Sequence, residues 1–144
     1  MNHLLNHLTD LSILDTVRNA NEGEKVTLSH PGTGELFYNG DGSEMTVTIL
    51  GPDSDKWKTT RHAIYNRRMA LKKARVSGEE VDNTLLNSLV AVTVSWNITL
   101  GGEQPQCTPD KVREVYEKYP WVMKQVQAYF DDETNFSKVS VTTS

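Results

Sequence analysis

The chain has 144 residues, 37% of them hydrophobic, and a formal net charge of −4, which suits one domain with a core that needs no external staple. Cys107 is its only cysteine, so a disulfide framework is excluded and a reducing compartment is expected. No stretch is apolar for long enough to cross a membrane as a helix, and the opening Met1-Asn2-His3-Leu4-Leu5-Asn6-His7-Leu8 lacks the basic flank and cleavage site of a secretory signal.

In chain order, Asp10–Arg18 places apolar residues at 11, 14 and 17 and predicts a short helix, ended by Asn19–Gly23. Val26–Leu28 predicts a brief strand, Pro31–Gly34 a turn, Leu36–Tyr38 a second strand, and Met45–Leu50 a third with the clearest alternation in the chain. These three make a small antiparallel sheet. Gly51-Pro52-Asp53-Ser54 ends it, with Asp53 or Ser54 as the cap of a helix running to about Val76. Trp57, Thr60, Ile64, Leu71 and Ala74 form the narrow apolar stripe of that helix.

Ser77-Gly78-Glu79-Glu80 has capping-box spacing, and Val81, Leu85, Leu89, Val92 and Trp96 then share one helical face. Ala91–Trp96 is also β-branched and alternating, so strand propensity competes there; the periodicity running in from Val81 favours helix. After a polar loop over 97–106, Thr108-Pro109 starts a helix whose inner face is Val112, Val115, Tyr116 and Tyr119. Pro120 starts the last helix, with Val122, Val126 and Tyr129 on one ridge and Met123, Val126 and Phe130 on the next. The expected architecture is α+β: a small antiparallel sheet near the N-terminus followed by four to five helices. Residues 1–24 read as an N-terminal helical segment, 25–137 as the main domain with sheet 25–50 and helices 54–134, and 138–144 as a flexible tail.

Signs of catalysis are sparse. The glycines at 32, 34, 40 and 42 lack the spacing and following helix of a phosphate loop. His3 and His7 are four apart but read as a solvated terminus, and Asp131, Asp132 and Glu133 are consecutive, so on a helix they diverge rather than converge on a cation. Cys107 lies in a Gly/Pro/Gln loop with no partner in sequence.

Two features instead suggest contact with another macromolecule. Lys56, Lys58, Arg61, Arg67, Arg68, Lys72, Lys73 and Arg75 are eight of the fifteen basic residues, opposed between Ser54 and Val76 only by Asp55. That stretch carries about +7 and the remainder of the chain about −11. Such a helix can neutralise phosphates, with Trp57 and Tyr65 available to stack on bases, or it can dock on an acidic protein surface. The second feature is the aromatic run from Trp121 to Phe136. Its residue types suit an interface and a core equally, and the sequence does not separate the two.

Three motifs resemble the tail assembly chaperones of long-tailed bacteriophages. They are Leu28-Ser29-His30-Pro31-Gly32-Thr33-Gly34-Glu35; Val47-Thr48-Ile49-Leu50-Gly51-Pro52-Asp53-Ser54 before a basic helix; and Trp96-Asn97, a polar loop, Thr108-Pro109, then Tyr116, Pro120-Trp121, Gln125-Val126, Phe130 and Asn135-Phe136. Together they span about residues 25 to 137, and the last is the most specific. Met1–Asn21 matches none of them, and Phe37–Gly42 is an irregular hairpin.

The resemblance implies a non-enzymatic factor of the host cytoplasm, without cofactor or metal and absent from the mature virion. Such a factor binds and solubilises the tape measure protein and assists polymerisation of the tail tube protein, which a frameshifted longer form recruits. Homo-oligomers are expected, and nucleic acid is not an expected partner. On this reading Trp121, Gln125, Val126, Phe130 and Phe136 contribute a helix-binding or self-associating surface, and Arg67 and Arg68 contact an acidic partner. The competing readings are a nucleic-acid-binding or regulatory protein acting through the basic helix 54–76, and a minor structural component of the tail.

Overall fold

The computed structural model describes residues 10–70 and 78–138. Leu11–Ile13 form a 3-10 turn and Thr16–Glu22 a short helix, α1. One continuous helix was expected over 10–18, but two aspartates break it. Asp10 accepts from Ser12 N at 2.9 Å and Asp15 from Arg18 N at 2.9 Å, so each starts a turn of its own. Leu11, Leu14 and Val17, whose spacing suggested the helix, are all exposed, Leu11 by 94%; only Ala20 of α1 is buried. Gly23 closes α1 at φ 82°, and a Cβ there would sit 2.8 Å from the Ile49 carbonyl oxygen.

The sheet is antiparallel with order β1 (Glu24–Thr27), β2 (Thr46–Ile49), β3 (Thr93–Asn97). Val26, Val47 and Trp96 form one cross-strand row facing the core. Two expectations are corrected here. Leu36–Tyr38 makes only the isolated bridges Ser29↔Leu36 and Tyr38↔Glu44, so it is no strand of the sheet. Thr93–Asn97, of which residues up to Trp96 were read as the end of a helix, is the third strand, so the sheet is not confined to residues 25–50. β2 offers its second edge to this segment, and Leu50 N donates to Val92 O at 2.8 Å as the chain turns in. That pairing and the β-branched composition outweigh the helical period carried in from residue 81.

Five helices accompany the sheet among the described residues: α1, α2 (Asp55–Ala70), α3 (Gly78–Val92), α4 (Pro109–Lys118) and α5 (Pro120–Asp131). Ser54, not Asp53, caps α2: its buried hydroxyl accepts from Trp57 N at 3.2 Å and donates to Gly51 O at 2.6 Å. Asn21 Oδ1 takes the next orphan donor, Asp55 N, at 2.9 Å. The final turns expected for α2 and the cap at Ser77 lie outside the described residues. Thr108 caps α4 by accepting from Lys111 N at 3.2 Å, and Pro109 and Pro120 sit in the first turns of α4 and α5.

One core joins these elements. Val122, Val126 and Phe130, four residues apart, lay α5 against the sheet, and Val112, Val115 and Tyr116 turn α4 into the same core between α3 and α5. Thr93 Oγ1 donates to Leu89 O at 2.7 Å, so the buried Tyr116 hydroxyl, 2.7 Å away, donates to Thr93. Gly51 passes so close to the C-terminal 3-10 turn (Glu133–Phe136) that a Cβ would lie 2.6 Å from a Phe136 ring carbon and 2.9 Å from Ala20 Cβ. Of the flexible tail expected over 138–144, Lys138 alone is described, and it is tied down: Asn19 Nδ2 donates to Lys138 O at 2.9 Å, and Lys138 Nζ pairs with Glu24 at 3.2 Å. The rest of that segment lies outside the described residues.

Candidate partner-binding surfaces

The structure divides the expected surface of α5 into three parts. Val126, Phe130 and Phe136 are buried, Val126 completely, and this corrects the expectation that they face a partner. The Phe130 ring meets Trp57 edge-on at 5.1 Å and the Phe136 ring meets Tyr129 at 5.9 Å. They hold α5, α2 and the C-terminal turn together, as buried rings do.

Gln125 serves the sheet. Ser29 N donates to its Oε1 at 3.0 Å, and its Nε2 donates to Ser29 O at 2.6 Å. In the antiparallel register Leu28 N bonds to Met45 O, so the neighbouring Ser29 turns its own groups to the outer edge. Gln125 therefore stands where another strand would pair. Gln104 makes the corresponding contact at the opposite edge, Nε2 to Trp96 O at 3.4 Å, and the Trp96 indole N–H reaches Pro105 O at 2.8 Å. Both edges of this small sheet are thus partly closed by amide side chains, which discourages edge-to-edge pairing.

Trp121 is the member that lines an apolar cavity. Half-buried at the start of α5, it stacks on Phe37 with ring centroids 5.0 Å apart, and Phe37 stacks in turn on His30 at 6.2 Å. His30 Nδ1 accepts from Gly32 N at 2.9 Å and Thr33 N at 3.1 Å, which holds the Pro31–Gly34 turn beneath the stack. Trp121, Phe37, Met45, Leu100, Tyr119 and Leu28 wall an apolar cavity of about 280 Å³ that opens to solvent. The Lys118 ammonium lies 5.8 Å from the centre of the Tyr119 ring at its rim. A concave site lined by aromatic and aliphatic groups can take a bulky apolar side chain.

Phe37, Met45 and Leu100 were not singled out as binding residues from sequence. Leu100, in an otherwise polar loop beside Gly101-Gly102, was the available signal, because an isolated apolar residue in a turn calls for a burial partner.

Arg67 and Arg68 are both exposed on α2, which has no buried residue at all. Successive helical positions differ by about 100°, so the two arginines flank the half-buried stripe Trp57, Thr60, Ile64 on opposite sides. They do not form one contact point. Among the described residues no ion pair involves a cation of α2. Lys72, Lys73 and Arg75 lie outside the described residues.

No cluster of three or more His, Cys, Asp or Glu side chains arranged to hold a metal occurs among the described residues. Asp132 accepts from Thr134 N and its hydroxyl, at 3.1 and 2.6 Å, and these bonds pull its carboxyl below the usual value; it caps the final turn. Burial pushes the Cys107 thiol up, away from the thiolate form a nucleophile needs. No helix among the described residues is long and apolar enough to cross a membrane.

No family model, curated protein or solved structure matches this chain. The motifs behind the family resemblance nevertheless acquire physical roles: His30 holds a turn, Gly51 permits a close approach, Ser54 and Thr108 cap helices, and Gln125 closes a sheet edge. They are positions that build the fold.

Proposed function

We propose that this chain is a non-catalytic tail assembly chaperone that binds and solubilises the tape measure protein in the host cytoplasm, with tail tube subunits reached through a longer form of the chain. The reading begins from the motif resemblance. The observation that supports it best is the open apolar cavity beside Trp121, at the junction of α4 and α5. A long helical client presents apolar side chains at regular spacing, and a chaperone needs a recess that covers one anchor at a time while many copies act along the client. Val126, Phe130 and Phe136 are buried and do not line this recess, so on this reading they do not touch the client.

Co-expression with the tape measure protein of the same genome tests the proposal. The expected outcome is a soluble client that co-elutes with this chain, and loss of co-elution in Met45→Glu and Leu100→Glu, which put a charge at the cavity wall. A client that stays insoluble with both the short and any longer form, while this chain elutes alone, overturns it. Detection of the chain in purified virions would favour a structural tail component.

A further inference from the structure

α2 has a second face that the fold leaves uncovered. A helix of 16 residues ordinarily depends on tertiary packing of an apolar stripe, yet α2 keeps only Trp57, Thr60 and Ile64 half-buried. At about 100° per residue, Arg68, Arg61, Tyr65, Lys58 and Met69 fall, in that order, across one adjoining arc of roughly 100°. Tyr65 is 59% exposed and Met69 47%, and they stand one turn apart with Arg61 and Arg68 beside them. The opposite flank carries Lys56, Ala63 and Arg67 and no large apolar group. α2 therefore has one merely basic side and one that is both basic and apolar.

We propose that the Lys58–Arg61–Tyr65–Arg68–Met69 flank docks an acidic amphipathic helix of a partner protein. From Lys58 to Met69 the flank extends about 17 Å, or three turns, which a partner helix can match with two apolar side chains against Tyr65 and Met69 and carboxylates against the three cations. Charge complementarity defines this occupant. α2 holds five cations against the single carboxylate of Asp55, whose Oδ2 accepts from Asn21 Nδ2 at 3.2 Å. A nucleic-acid backbone fits less well, because it offers nothing apolar to Met69 and is repelled by the acidic remainder of the chain. The surface is separate from the cavity beside Trp121 and does not depend on the chain being a tail chaperone.

Fluorescence anisotropy of the full chain with a labelled helical peptide of about five turns, alternating leucine pairs with glutamates, tests the proposal. Three comparisons accompany it: the same peptide with glutamine for glutamate, a DNA duplex, and low against physiological salt. The glutamate peptide is expected to bind best and to weaken with salt. Arg61→Glu with Arg68→Glu should weaken it about tenfold or more, and Lys56→Glu with Arg67→Glu by less than about threefold. Tyr65→Ser with Met69→Ser should lose about fivefold without changing the salt dependence. All these side chains are exposed, and unchanged circular dichroism and melting would confirm that the variants fold. Equal losses from the two flanks, or no preference for glutamate over glutamine, overturn the proposal. Tighter binding of the duplex overturns it in favour of a nucleic-acid surface.

Discussion

α5 and α2 carry the two patterns that drew attention as partner surfaces, and the fold treats them in opposite ways. α5 turns Val122, Val126 and Phe130 into the core and leaves Trp121 at a cavity mouth. α2 buries nothing completely and displays its cations together with Tyr65 and Met69. The difference follows from the width of the apolar stripe. A wide stripe of large residues gains enough from leaving water to draw the helix inward, whereas a narrow one flanked by arginine holds a helix at the surface, since a buried unpaired charge costs more than the stripe returns. An aromatic helix is thus evidence of burial first and of binding second.

The sharpest way to break this comparison is at α5. Val126→Asp places a carboxylate at a completely buried site and should abolish cooperative folding; Phe130→Ala should cost about 3–5 kcal/mol, read from the urea midpoint. A Phe130→Ala variant that retains wild-type stability would mean that α5 is peripheral. Gly51→Ala comes next. Its new methyl meets Phe136 and Ala20 at under 3 Å, so a loss of about 1–3 kcal/mol is expected from overpacking.

Gln125→Glu sharpens the reading of the polar side of α5. It keeps an acceptor for Ser29 N but removes the donor to Ser29 O, so a loss of about 1–3 kcal/mol is expected and amide exchange in β1 should quicken. Tyr116→Phe removes one buried hydrogen bond, for about 1 kcal/mol. It should also change the alkaline limb of the stability profile. Burial raises the Tyr116 phenol well above its ordinary value, so the unfolded chain loses that proton first and stability falls as pH climbs past about 10. The phenylalanine variant should show a shallower decline. The smallest effect belongs to α2: Arg67→Glu with Arg68→Glu should leave the urea midpoint unchanged, because both side chains are exposed and no described ion pair is lost. A large drop there would place α2 in the core after all.

Much of the helical half was legible from sequence. Ser54 and Thr108-Pro109 cap as their types suggest, Pro120 restarts the chain, and the inward phase of Val112, Val115, Tyr116, Val122 and Val126 matches the periodicity. The sheet was less so. Met45–Leu50 contains β2, but the third strand lay in a segment whose two periodicities conflict, and Leu36–Tyr38, though made of strand-forming types, finds no full neighbour. Of the residues expected to bind a partner, only Trp121 lines the apolar cavity, while its companions there, Phe37, Met45 and Leu100, lie far apart along the chain.

The sequence by itself determined where helices start, which of their faces are apolar and where charge is concentrated. Capping, proline geometry and side-chain period act over a few residues, and no distant contact is needed to express them. Only the tertiary structure decided that Thr93–Asn97 joins β2, that Gln125 spends its amide on Ser29, and that Phe130 goes inside while Trp121 stays at a rim. Each of those outcomes depends on a partner brought near by folding, and local propensity leaves the choice between them nearly even until that partner arrives.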